Sequence, residues 1–161
     1  MKLRQYMEED LINYKKISLF LGTCYCDWKC CHEGHFAEAI CQNNPLATSV
    51  IKEIDNNKLI QRYLSNSLTS AIVFGGLEPF KQFEELLEFV KTLREQYNCM
   101  DDVVIYTGYY KEEIIDKIEI LSKYKNIIVK YGRYIPGHQS HYDEVLGVNL
   151  ASNNQYAEKI S

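Results

Sequence analysis

The chain has 161 residues, 46% of them apolar and 25% charged, with a net charge of −4. That length fits one domain spanning residues 1–161, large enough to bury a core without disulfides, and the charge offers no basic field for nucleic acid. No apolar run approaches the ~18 residues that would span a bilayer, and residues 1–16 (MKLRQYMEEDLINYKK) lack the apolar stretch of a signal peptide, so a cytoplasmic protein with no membrane partner is expected.

Residues 1–16 read as a lead-in, helical or irregular, because Leu11, Ile12 and Tyr14 give only weak periodicity. Ile17 to Gly22 is a short apolar run closed by glycine, the pattern of a buried parallel strand. A cysteine-rich loop follows it. Pro45 predicts the start of a helix through Ala47, Val50, Ile51 and Ile54, broken by Asp55-Asn56-Asn57, with a second helical piece from Leu59 to Leu64. Ala71 to Phe74 predicts a second strand. From Phe80 to Tyr97, Phe83, Leu86, Leu87, Val90 and Leu93 recur at three-and-four spacing, which predicts an amphipathic helix. Asp102 to Tyr109 reads as a third strand, Glu112 to Leu121 as another amphipathic helix, and Asn126 to Tyr131 as a fourth strand. Residues 132–161 lose periodicity and read as a loop-rich C-terminal part, with a turn at Pro136-Gly137.

Strands alternating with helices predict right-handed βαβ units and a mainly parallel sheet. Such sheets bind ligands at the carboxyl ends of their strands. Thr23 to Cys41, Gly75 to Pro79, Thr107-Gly108 and Gly132 each follow a predicted strand, so four segments are expected to converge on one rim.

The first of these segments carries the chemistry. Cys24, Cys26, Cys30, Cys31 and Cys41, five of the six cysteines, lie close together in it, and in a reducing cytosol such a cluster reads as metal ligands rather than disulfides. Together with His32 and His35 the thiols can furnish a closed four-ligand zinc site; as soft donors they equally suit an iron–sulfur cluster. The loop by itself leaves both open. Cys99, far from the others, reads as a buried thiol, and the four histidines as solvated loop residues.

About fifty residues on, the second strand runs into Gly75-Gly76-Leu77-Glu78-Pro79. A C-x3-C pair after the first strand, a third cysteine preceded by an apolar residue and a GGxEP stretch resemble the radical S-adenosylmethionine (SAM) enzymes. Ile17-Ser18-Leu19-Phe20, Cys41-Gln42-Asn43 and Gly147 to Gln155 (GVNLASNNQ) narrow the resemblance to the small activating proteins of anaerobic ribonucleotide reductases. The resemblance implies an α/β fold, a partial open (β/α) barrel of the radical SAM type. It implies a 4Fe-4S cluster on Cys26, Cys30 and Cys41, with SAM chelating the iron that lacks a protein ligand. It further implies reductive cleavage of SAM to a 5′-deoxyadenosyl radical. Gly75 and Gly76 would let the backbone pass close to the methionine part of SAM, Glu78 would accept from its ammonium, Ile40 would lie against the adenine, and Tyr106, Thr107 and Gly108 would contact SAM at the third strand end. The implied partners are a glycyl radical enzyme such as anaerobic ribonucleotide reductase and an electron donor such as flavodoxin or ferredoxin. A radical SAM enzyme acting on another peptide or small molecule, and a zinc-stabilised binding module without catalysis, are the alternatives.

The chain departs from the family pattern in three places. Ten residues, Cys31 to Ile40, separate the last two ligands where the family has two, which leaves Cys31 and Cys24 as competitors for the third position. Tyr131-Gly132 stands where the reductase activators tend to have Asp-Gly. The glycine-rich lead-in before the first strand is absent.

Overall fold

Residues 1–161 are described by a computed structural model. Its strands are β1 (Lys2–Leu3), β2 (Gln5–Asp10), β3 (Ser18–Thr23), β4 (Lys52–Glu53), β5 (Ala71–Gly76), β6 (Asp102–Tyr106), β7 (Ile127–Tyr131), β8 (His141–Asp143), β9 (Val148–Leu150) and β10 (Tyr156–Lys159). Its α-helices are α1 (Lys29–Gly34), α2 (Asn44–Ala47), α3 (Asn56–Ser65), α4 (Phe83–Lys91) and α5 (Ile115–Leu121). The four apolar runs read from the sequence become β3, β5, β6 and β7, the parallel centre of a six-stranded sheet ordered β10-β7-β6-β5-β3-β2.

Both edges of that sheet are antiparallel, and both correct the sequence reading. The lead-in is neither helical nor irregular: β2 pairs with β3, and β1 pairs with β4. The loop-rich tail returns as β10 against β7, after a β8–β9 hairpin. These strands escape a hydrophobic-period search because edge positions favour charge, which discourages pairing with another chain; the sequences QYMEED and YAEK carry it.

The helical readings also shift. The helix expected from Pro45 to Ile54 stops at Ala47, Val50 and Ile51 are exposed, and Lys52–Glu53 is drawn into β4 instead. Asp55 starts a helix rather than ending one. Its side chain accepts from Lys58 N at 3.1 Å, an N-cap that launches α3. The helix expected over Phe80 to Tyr97 is continuous but mixed in geometry: a 3-10 turn at Pro79–Gln82, then α4, then a π turn at Thr92–Gln96. α5 is likewise preceded by a 3-10 turn at Lys111–Ile114.

Strand alternation divides the core in two. Leu19, Leu21, Ile72, Phe74, Val103, Ile105, Ile127 and Val129 face α3, α4 and α5 in the larger cluster. Phe20, Ala71, Val73, Val104 and Ile128 face the other way, covered by Tyr14 and by Leu146 and Leu150 of the hairpin region. The helices thus seal one face. The other has only a thin covering, and towards the carboxyl ends of the strands it opens into a cavity.

Candidate metal centre

β3, β5, β6 and β7 run parallel, so Thr23, Gly76, Tyr106 and Tyr131 end at the same edge of the sheet. The four following segments meet there as expected. Cys26, Cys30 and Cys41, the Gly75–Glu78 stretch, Thr107-Gly108, and Gly132 all line one cavity of about 530 Å³. Its floor is the face opposite the helices, with Phe20, Tyr106 and Lys130. Asn149 to Ala151 and Gln155, from the GVNLASNNQ stretch, line it as well, as do Gln42 and Asn43 beside Cys41.

Of the six free cysteines, only Cys26, Cys30 and Cys41 reach this cavity; Cys24, Cys31 and Cys99 are buried in protein. None of the four histidines lines it. No three His, Cys, Asp or Glu side chains converge on a point that a single metal ion would fill. A cubane cluster makes a different demand, because each thiolate binds its own iron at a separate corner and the sulfurs stand farther apart. Burial pushes the Cys26 thiol up to about 12, against a hydrogen bond from the Trp28 amide at 3.3 Å. Burial raises Cys30 too, opposed by the Tyr134 amide. Without metal these two are held as thiols, so any metal group bound through them would displace their protons.

The first half of the loop is held from several sides. Trp28 and His35, both in the left-handed region (φ 57° and 53°), bracket α1 and place it between two reversals of the chain. Tyr109 donates its hydroxyl to Asp27, Lys29 pairs with Glu113, and Glu78 N donates to Tyr25 O at 2.7 Å. Arg133, its side chain only 4% exposed, spans Glu113 (2.6 Å) and Glu33 of α1 (3.0 Å). The second half, from Gly34 to Asn43, is mostly exposed and its hydrogen bonds are only those of local turns, around a 3-10 turn at Glu38–Ile40. Cys41 rides on this looser half.

In the GGLEP turn, protein neighbours by themselves require the glycines, a second reason for them beside the one read from the sequence. A Cβ on Gly75 would stand 2.9 Å from the Phe20 ring. Gly76 has φ +80°, and a Cβ there would meet Leu46 at 2.7 Å and Gly22 Cα at 3.0 Å. Gly108 is the glycine that lies against a proposed ligand, because a Cβ on it would sit 3.0 Å from Cys30 Sγ.

Glu78 is 5% exposed and engaged within the protein. Its Oε1 accepts from Phe80 N (3.1 Å) and Thr107 Oγ1 (2.8 Å), and its Oε2 accepts from Gly108 N (2.9 Å). The carboxylate latches the end of β5 to the end of β6 while also lining the cavity. Burial raises its pKa to about 7, although those three donors pull the other way. Tyr106 presents its ring to the cavity and donates its hydroxyl to Asn13 O. Ile40, 53% exposed, stands outside the lining.

Two residues were missed in the sequence. Lys130 is 6% exposed, lines the cavity, and donates to Gly132 O at 2.9 Å. Burial lowers its pKa to about 8, opposed by Glu78 and, when it is a thiolate, by Cys30. Its signal was there to find: a lysine inside Ile127–Tyr131, a strand buried on both faces. Arg133 gave no comparable signal, since its partners lie 20 and 100 residues away.

A family model described as a 4Fe-4S single cluster domain matches residues 15–157. The chain belongs to that family. No curated protein and no solved structure gives a match. For a 4Fe-4S single cluster domain the donor chemistry fits: three thiols, the soft donors such clusters take, share one cavity with no competing histidine. The volume lies within the range typical of cofactor sites. Membership also decides between the two metals that the loop left open, in favour of iron–sulfur. No helix is long and apolar enough to cross a membrane.

Proposed function

We propose that Cys26, Cys30 and Cys41 hold the 4Fe-4S cluster and that the rest of the cavity binds SAM, making the protein a radical SAM oxidoreductase of the glycyl-radical-enzyme activase type. The observation that carries this reading is the meeting of three thiols and the GGLEP turn in one cavity. When bound and reduced, the cluster supplies the electron that cleaves the sulfonium of SAM. The chain's own residues position and exclude. Gly108 brings its backbone against Cys30, Tyr106 and Phe20 wall the cavity with apolar surface, and Glu78 fixes the β5 and β6 ends while offering the lone pairs its three donors leave unused to an ammonium. Thr107 contributes through Glu78, to which its hydroxyl is committed. We assign Ile40 no contact with SAM from its place here. On this reading the mixed sheet is the partial open barrel of the radical SAM type, with the cavity in its opening.

The choice of a glycyl radical enzyme as partner is supported by the lining positions of Gln42, Asn43, Asn149 and Gln155, all from stretches that resemble the reductase activators. An exposed loop beside the cavity suits docking of a partner's glycine loop, and flavodoxin or ferredoxin would supply the electron. The test is anaerobic reconstitution, iron analysis, then dithionite and SAM. Production of 5′-deoxyadenosine is the expected result; iron-loaded, reduced protein that leaves SAM intact would overturn the reading.

A further inference from the structure

Lys130 and Glu78 are the only charged residues lining the cavity, and they are not paired with each other or with any other ion. Glu78 spends its hydrogen bonds on Phe80, Thr107 and Gly108. Lys130 reaches only neutral carbonyls, Gly132 O at 2.9 Å and Thr107 O at 3.5 Å. A buried ammonium without an anionic partner is costly and is retained where something compensates its charge. No carboxylate of the protein bonds to it. The same ammonium lines the cavity together with Cys30, couples to it once that thiol is a thiolate, and is the sole cation on the cavity wall.

We propose that Lys130 is the counter-charge of the cluster bound through Cys30 and sets its reduction potential. This rests on the ligand assignment above. One electron from a low-potential donor enters the cluster, no bond forms or breaks, and Lys130 keeps its proton throughout. Reduction adds a negative charge to the cluster, so a fixed positive charge in a poorly solvated wall stabilises the reduced form more than the oxidised one and raises the potential. Glu78 works in the opposite sense from the neighbouring strand end. Lys130 is therefore a tuning residue, with no bond to substrate.

The experiment is a redox titration of cluster-loaded protein followed by electron paramagnetic resonance. Lys130→Gln is expected to move the midpoint to a more negative value, with the reduced-to-oxidised ratio at a fixed solution potential falling about tenfold, a change of ~59 mV for one electron. Lys130→Arg should restore it, and Glu78→Gln, studied above neutral pH, should move it the other way. A fully loaded Lys130→Gln with an unchanged midpoint overturns the proposal, as does a Lys130→Arg midpoint displaced as far as that of Lys130→Gln. Should Lys130→Gln fail to load, Lys130→Met, which needs no hydrogen bond, and Glu78→Gln decide instead: a midpoint unmoved in either counts against the inference. Wild-type protein that takes up no iron would sink the ligand assignment rather than the role of Lys130, which keeps the two failures distinguishable.

Discussion

Cys24 and Cys31 are as near in sequence to the proposed ligands as those ligands are to one another, yet both are packed away from the cavity. Replacing Cys26, Cys30 or Cys41 by Ala should therefore abolish cluster binding, whereas Cys24→Ala and Cys31→Ala should keep wild-type iron. Iron analysis of the five anaerobically reconstituted variants checks this, and iron lost from Cys31→Ala but kept by Cys41→Ala would reassign the third ligand. Glu78 makes a second prediction in the protein without cluster. Its folded pKa of about 7 lies above the ordinary 4.5, so between those values the folded state binds more protons than the unfolded one. Stability from this group is then present at low pH and is lost as pH rises through 7, a difference of roughly 3 kcal/mol. Urea midpoints of wild type and Glu78→Gln across that window should converge at the acid end and differ in slope; parallel curves would refute it. The Gly-Gly-x-Glu-Pro spelling of the site was legible in the sequence, but the latch that occupies Glu78 was not, because Thr107 and Gly108 lie about thirty residues away and only parallel pairing brings them alongside.

At the scale of elements, α1 is a helix of six residues, too short to be stable in isolation. Contacts from elsewhere must hold it, and the Arg133 fork between Glu33 and Glu113 is the most buried of them. Arg133 and Lys29 hold the Glu113 carboxyl down to about 2, helped by the Tyr110 amide. Sign follows from that depression: the contribution is present above 4.5 and fades as pH falls through 2. Glu113→Ala should cost about 2 kcal/mol, the worth of hydrogen bonds to a charged group. It should also speed hydrogen exchange at the Cys31 and His32 amides, which bond to Trp28 O, while leaving β5 and β6 protected. Uniform exchange across the chain would mean that the fork stabilises the fold without positioning the loop. Apolar runs made β3, β5, β6 and β7 readable because strands buried on both faces leave a continuous hydrophobic imprint. β2 and β10 left none, since each has an open edge and charge serves it better, and α2 ended early because the backbone at Lys52–Glu53 was claimed by β1 across the chain.

For the whole molecule, two halves of one loop stand in different mechanical situations. The half with Cys26 and Cys30 is tied to the 3-10 turn before α5 and to the segments that follow β5, β6 and β7, elements resting on a core in which Phe74, Leu86 and Val129 are fully buried. The half with Cys41 has exposed side chains and only short-range hydrogen bonds, the combination that opens at low free energy. Binding three thiolates to one rigid cluster closes the loop across this difference, so its free energy is felt mainly where the chain is otherwise loosest. Removing the cluster with a chelator under oxidising conditions should therefore leave the circular dichroism nearly unchanged while exposing residues 35–43 to limited proteolysis. The first cuts should fall in that stretch, and cluster-loaded protein should resist them. Early cleavage in residues 132–155, or identical digestion patterns with and without iron, would show that Cys41 is not drawn into the site by the cluster. The same comparison in Cys41→Ala, where the segment should be cut whether or not iron is supplied, ties the protection to this one thiolate rather than to general tightening of the fold.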